Sequence, residues 1–516
     1  MKKQYIIPLL CIFCFCFSIA CEDLDEKPVG SLNPEGFFKS PDDVMVAING
    51  GYAGITSEEF WGRKLPLALL LRGDMCTIGD PTTSAARIDV DQFNVDPANG
   101  MVGAFWPKGY EAIAALNTAI AGARELDVPE EEINPIMAEA MFLRAFIYYQ
   151  FVRLFGSLPY VDMPFTDPNS AYTYEESSAE EVYVHIIEDL QFAKQWLPDD
   201  QGLRSRPSKG SAAGMLASVF LTLERHEDAY DEAKYVIDNK AKFGYGLTPE
   251  FQNLFDATVI DNDENAQEIL FAVDFNGNDE YPAAGNYTRD YLASVTGPRG
   301  DNRFPQGEGW SVAVPSMEVY NTWDGRDYRK AVSFDTVAVM GDTLTNYQYW
   351  DKASRGVARP HIAKYFRYFG KAGLNGRDSD NNYIVMRYAE VLLIAAEALN
   401  EVQGVSDEAV GYVNEVRQRA RRELDADPAN DRDFPADITA AMTDAQFRDL
   451  VIDERRLELA FEFGRWYDLK RRDMGTEAFA AGGLEPQPNF NVAIDYLLPK
   501  PQSDININPN INQNDY

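Results

Sequence analysis

The sequence predicts a mostly α-helical protein, a tetratricopeptide-like helical-repeat scaffold with a loop-rich, partly β insertion. Three observations predict it. In five places apolar residues recur at offsets of zero, four, seven and eleven: Met141, Ala145, Tyr148 and Val152; Ile186, Leu190, Ala193 and Leu197; Ala212, Leu216, Val219 and Leu223; Tyr388, Leu392, Ala395 and Leu399; Ala409, Val413, Val416 and Ala420. That spacing puts four side chains on one face of an α-helix. Ala229, Ala233 and Val236 begin a further copy 17 residues after Ala212. Two antiparallel helices therefore fit in about 34 residues, the tetratricopeptide period. Residues 241–380, by contrast, hold no sustained stripe and are rich in Gly, Asn, Asp, Tyr and Trp.

Taken in chain order, residues 1–20 read as a secretory signal. Lys2 and Lys3 precede an apolar run from Tyr5 to Phe17 and the small residues Ser18-Ile19-Ala20. The run is too short to span a bilayer as a helix. Cys21 follows the expected cut, where lipoprotein processing needs a thiol to acylate, so the mature chain is expected to hang from a membrane by lipid on Cys21. Cys11, Cys14 and Cys16 would be discarded with the signal, leaving Cys76 as the sole unmodified thiol and no internal disulfide. Residues 21–40 open with the acidic run Glu22 to Lys27 before Pro28, the composition of a solvated tether. The first part of the helical scaffold is expected over 41–240, with helices near 104–125, 130–155, 178–197 and 208–238. The insertion over 241–380 contains strand-like runs at 268–275 and 330–339 and is too aromatic to be disordered. Residues 381–516 complete the scaffold, with helices near 384–423 and 443–472, and from Gly482 end in an Asn- and Pro-rich tail expected to be non-helical and to wrap the surface.

The formal net charge is −35, from 47 basic and 82 acidic residues. A surface that negative repels phosphate backbones and anionic headgroups, which excludes nucleic acid as a partner and electrostatic docking as the membrane attachment.

The run from Arg144 to Tyr160 resembles the hallmark helix and exit turn of the SusD/RagB family of outer-membrane nutrient-binding lipoproteins. Arg206 to Ala213, Asp453 to Lys470 and Leu498 to Asn510 agree with it in the expected order. The resemblance implies a protein on the outer leaflet facing the exterior, which binds an oligosaccharide without hydrolysing it and caps a SusC-like TonB-dependent transporter as its partner. In physical terms the motifs read as architecture. Glu454 shares a helical face with Leu450, Leu457 and Phe461, so its carboxylate is expected to point inward and pair with Arg455, Arg456 or Arg465. Arg144 and Arg153 read the same way.

Catalytic patterns are lacking. His185, His226 and His361 are the only histidines, none in a zinc-binding spacing, and no nucleophile elbow, P-loop or dinucleotide fingerprint follows a strand. No catalytic residue, metal ligand or cofactor is assigned. Asp261-x-Asp263-x-Asn265 starts like a calcium loop, but Ala266 stands where glycine belongs and Ala272 where the bidentate acid belongs. Binding chemistry is better represented. A sugar offers a flat apolar face and a rim of hydroxyls, which call for exposed rings beside polar groups. The stretch from Asn276 to Trp310 supplies both, with Tyr281, Asn286, Tyr287, Arg289, Tyr291 and above all Trp310 as candidates. A second loop, Asp74 to Asn99, adds Asp80, Asp91 and Phe93. Two other functions fit the same outline: a surface glycoside hydrolase built on a carboxylate pair, and a structural or assembly lipoprotein with a buried aromatic insertion.

Overall fold

The computed structural model describes residues 37–164, 173–277, 290–303, 309–349, 355–372, 376–422 and 432–516. Cys21 and the expected signal lie outside them. The first half comprises α1 (Pro41–Ile55), α2 (Lys64–Leu71), β1 (Cys76–Ile78), α3 (Ala85–Asp91), α4 (Val102–Glu125), α5 (Glu130–Phe155), α6 (Ala179–Trp196), α7 (Lys209–Thr222) and α8 (His226–Asp238). Then come β2 (Ile269–Val273), β3 (Ala313–Pro315), β4 (Phe334–Asp335), β5 (Val337–Met340), β6 (Thr343–Asn346), β7 (His361–Ile362) and β8 (Tyr383–Arg387). The last long helices are α9 (Tyr388–Gln403), α10 (Asp407–Ala420) and α11 (Asp444–Glu458), followed by the shorter α12 (Arg465–Arg471).

Helices pack in sequence: α4 on α5, α5 on α6, α6 on α7, α7 on α8, then α8 on α9 across the insertion, with α10 and α11 on α9. Chemistry at their ends fixes the boundaries. Ser178 with Glu181, Ser208 with Ser211, and Thr443 with Gln446 form capping boxes that satisfy otherwise orphaned N–H groups at the starts of α6, α7 and α11. Small residues let helices approach: at Gly54 of α1 an added Cβ would lie 2.7 Å from the Ala112 Cβ of α4. The fold is thus the mostly α, helical-repeat scaffold expected, with all four described sheets two-stranded and antiparallel. Among the described residues no helix is long and apolar enough to cross a membrane.

The 208–238 block holds the two helices that the 17-residue repeat implies, and the turn between them places Glu224 at a φ of +56°. Several boundaries differ from expectation. The 384–423 block begins as β8, and Gly404 at φ +82° separates α9 from α10. The 443–472 block is interrupted by Phe461 and Phe463 at φ +64° and +59°. The 330–339 run starts as a helical turn, Tyr328–Ser333, before β4 and β5. The tail, expected to contain no helix, has a short turn at Gln502–Ile507. It does lie along the scaffold, with the Leu498 N–H donating to the Leu154 carbonyl at 2.7 Å and the Asn514 amide to the Phe155 carbonyl at 2.9 Å.

Buried ion pairs attach the insertion to the scaffold. Glu458 of α11 accepts from Arg387 at 2.6 Å and Arg329 at 3.0 Å and also pairs with Arg419, all four side chains almost wholly buried. Glu454 points inward as expected, but its partners are Arg329 at 2.6 Å and Arg417 at 2.7 Å. The three arginines nominated from sequence point elsewhere: Arg455 to Asp468 and Glu390, Arg456 to Asp453, and Arg465 to Asp74. Lys364 of the insertion reaches Glu462 at 2.6 Å. β2 pairs with β8, so the chain entering the insertion is hydrogen-bonded to the chain leaving it.

Candidate functional site

Trp310 sits where several elements converge. Its N–H donates to the Ser294 carbonyl at 2.6 Å, and the next two N–H groups, of Ser311 and Val312, donate at 2.9 Å to Gly297 and Val295. On the other side the N–H groups of Gly79 and Asp80 donate at 2.8 Å to the Val312 and Ser311 carbonyls, continuing the β1–β3 ladder. Ser311 has a φ of +52° and is fully buried, its hydroxyl 2.8 Å from Nε2 of His361. Burial pushes that imidazole down to about 3, so it stays neutral and acts as a fixed hydrogen-bonding post. The sharp turn buries Ser311 fully and leaves the preceding Trp310 half-buried, packed against the core.

Tyr291 stands beside it, ring centroids 5.8 Å apart and planes at 48°. Only 5% of Tyr291 is exposed. Its ring is covered by Arg63, whose guanidinium carbon is 4.6 Å from the centroid, with that of Arg377 at 5.9 Å. The Tyr291 N–H donates to the Gly62 carbonyl at 3.0 Å. Asp290 anchors this segment by accepting from the N–H groups of Leu292 and Ser379, both at 2.9 Å. Tyr291 therefore supports the platform and carries the arginines rather than offering a free face.

Asp80 is completely buried. It accepts from the Thr82 N–H and hydroxyl at 2.9 and 2.8 Å, from Arg299 at 3.4 Å, and from Arg355. Burial raises its carboxyl, but the bonds from Thr82 and Arg355 outweigh that and hold it below the usual carboxylate range. Arg299 also donates to the Trp310 carbonyl at 3.2 Å. Asp80 thus orients arginines beside Trp310 and does not itself face a ligand, which corrects its expected role. Phe93 is a second correction. At φ +56° and 6% exposed, its ring lies between Phe479 and Phe490, at 4.8 and 5.0 Å, with the Arg72 guanidinium 4.6 Å away. No face is left for a sugar. Asp91 is buried too, pushed up to about 7 by burial and by Glu485. Tyr281, Asn286, Tyr287 and Arg289 lie outside the described residues.

Other aromatic and charged residues behave as core. Trp106, Trp323 and Trp466 are buried. Arg144 is held by Asp189 at 2.7 Å, and Arg153 lies between the rings of Tyr149 and Tyr467 at 3.6 and 3.5 Å. In the calcium-like run, Asn265 donates to the Val259 carbonyl and its own carbonyl accepts from Thr248, both at 2.8 Å, while Asp261 accepts from Asn382.

Arg63, Lys64 and Arg87 escaped the sequence reading. Arg63 and Lys64 open α2, and Arg87 lies in α3 with its guanidinium 3.0 Å from the Thr83 hydroxyl. Their only sequence signal is cations at a helix start, where the dipole disfavours them. Contact with Tyr291 is a tertiary fact.

Known proteins bear on the family and the fold. Residues 267–516 match the model of the SusD family, and residues 77–221 match a family described as starch-binding and associating with the outer membrane. SusD-like protein P2 of Formosa agariphila is 49% identical over 515 residues, covering 99% of this chain and 98% of the relative. A crystal structure of a SusD homolog from Bacteroides thetaiotaomicron superposes with a TM-score of 0.79 at 22% identity, over 93% of this chain and 98% of the other. Surface glycan-binding protein A from the same organism, in complex with laminarihexaose, gives 0.75 at 19% identity, over 92% and 99%.

Proposed function

This chain belongs to the SusD family, and from that premise we propose that it is a cell-surface lipoprotein that captures oligosaccharides and passes them to a partner SusC-like, TonB-dependent transporter without breaking a glycosidic bond. The carrying observation is Trp310, a half-buried indole whose backbone and the two residues after it are hydrogen-bonded on both sides, flanked by arginines that Asp80 and Tyr291 hold in place. A ring face of that kind stacks on the apolar face of a pyranose, and adjacent guanidinium groups bond its hydroxyls. The backbone from Trp310 to Val312 is already hydrogen-bonded before a ligand arrives, which lowers the ordering cost of binding. Lipid on Cys21 would hold the protein at the outer membrane, the acidic tether would let it swing, and the helical scaffold would present a broad face to the barrel. The named relatives add weight: one complex contains laminarihexaose, and one family description mentions both starch and the outer membrane.

Affinity electrophoresis of the chain lacking its signal, run through gels containing a panel of polysaccharides, tests the proposal. Retardation by at least one polysaccharide that Trp310→Ala abolishes, with the polysaccharide recovered uncleaved, is the expected result. Retardation that survives Trp310→Ala would remove the assigned platform, and released oligosaccharide would replace capture with hydrolysis.

A further inference from the structure

Beside Trp310 lies a cluster of cations that neither the fold nor a neutral sugar requires. Arg63 covers Tyr291 and pairs with Glu58. Lys64 and Arg87 are half-buried, and among the described residues neither makes an ion pair; there the side-chain hydrogen bond of Arg87 is to the Thr83 hydroxyl. The three repel one another, offset in part by Glu58 and Glu59 near Lys64 and by Glu58 and Asp80 near Arg87. Burial first, and then Arg63, pushes Arg87 down to about 10, and burial with Arg63 and Arg87 lowers Lys64. Arg63 and Lys64 also occupy the start of α2, whose first turn contains no acid and whose dipole opposes positive charge. A chain with 82 acidic residues could neutralise such a cluster easily, as it does for Arg329, Arg387 and Arg419 in the core. Two half-buried cations without a carboxylate in contact, next to the Arg63 that covers the ring adjoining Trp310, mark a place where a bound anion would supply the missing partner.

Resting on the glycan-capture reading above, we propose that the oligosaccharide taken at Trp310 is anionic, with a sulfate ester or uronate carboxylate held by Arg63, Lys64 and Arg87. Tyr291 touches both Trp310 and Arg63, so the indole and the cations are within the span of a short oligosaccharide. Arginine suits either anion because its fork donates two parallel bonds. Charge here also answers a long-range problem. A chain of formal charge −35 repels a polyanion, and a local cationic patch gives it one place to land.

The first test uses inorganic sulfate and the chain lacking its signal. Sulfate should raise the melting temperature above that in sodium chloride of equal ionic strength, and Arg87→Gln should abolish the difference. In chloride Arg87→Gln should melt no lower than the parent, because the substitution relieves repulsion. Equal responses of parent and variant to sulfate would overturn the anion site. The second test titrates κ-carrageenan, polygalacturonate and laminarin, which carry sulfate, carboxylate and no charge. Binding to one of the two polyanions, weakened about tenfold by Arg87→Gln and by Lys64→Gln and reduced by salt, is expected. Binding to laminarin alone, lost in Trp310→Ala but unchanged in Arg87→Gln, would overturn the anionic assignment and leave glycan capture intact. A sulfate response without any saccharide contribution at Trp310 would do the reverse.

Discussion

Replacing Glu458 by alanine tests how the segment 241–380 is held to the helical scaffold. The carboxylate is fully buried and serves Arg387 at 2.6 Å, Arg329 at 3.0 Å and Arg419. Arg329 belongs to the insertion and Arg387 to the end of β8, so one residue of α11 ties three segments. Breaking a buried pair from one side costs about 3–5 kcal/mol because charge is left uncompensated. Each arginine keeps another carboxylate, Glu454 for Arg329 and Glu268 for Arg387 and Arg419, which points to the low end. With an unfolding entropy of about 2.1 cal/mol/K per residue, a cooperative unit of this size loses roughly 3 °C for about 3 kcal/mol. Circular dichroism melts give the shift, and hydrogen exchange locates it: protection should fall first in β3, β4 and β7, before α5 responds. Asp453→Ala, which removes an exposed partner of Arg456 on the same helix, is the control and should change stability by less than about 0.5 kcal/mol. If Glu458→Ala melts like Asp453→Ala, the buried network is not what secures the insertion.

Phe93→Ala should destabilise by about 3–5 kcal/mol in urea unfolding, since it empties a ring-lined site between Phe479 and Phe490, yet leave glycan retardation unchanged. Cys21→Ser should abolish incorporation of labelled palmitate and release the protein from outer-membrane fractions, whereas equal labelling of parent and variant would exclude Cys21 as the anchor. Gly54→Val should cost about 1–3 kcal/mol by melting, because the added carbon meets Ala112 at 2.7 Å in a helix contact with no slack. The acid limb of stability follows Asp468. Burial raises its carboxyl, but Arg455 and Arg471 outweigh that and bring it down to about 2 from 3.8. A depressed carboxyl contributes stability that is present above its unfolded pKa, so about 2 kcal/mol should be lost as pH falls from about 4 to 2. Asp468→Asn should flatten that part of the profile.

What the sequence disclosed and what it hid follow from the range of the interactions. The stripes on α5, α6, α7, α9 and α10 were legible because a helical face is a local periodicity. The break near Glu224 was legible too, from the second stripe at Ala229, but the interruption at Phe461 and Phe463 was not: both adopt positive φ without being glycine. Phe463 packs against Trp61 and Tyr365, rings from far along the chain. Glu454 was correctly placed inward by its neighbours on α11, while its partner Arg329, 125 residues away, left no local trace. Trp310 stood out because Gly309 and Ser311 bracket it in a loop, and the structure leaves it half-buried. Phe93 and Asp80 looked alike in a polar loop and proved buried, because what covers them comes from the C-terminal region and from Arg299 and Arg355. Arg63, Lys64 and Arg87 acquire meaning only when Tyr291 is folded against them.

Calorimetric titration of the retained polysaccharide into Trp310→Ala and into the parent is the most direct measurement of whether this protein captures nutrient on an indole face. A central stacked tryptophan is worth about 2 kcal/mol or more, so affinity should fall roughly thirtyfold or beyond while the melting temperature holds. Undiminished affinity in Trp310→Ala, with the fold intact, would contradict the account.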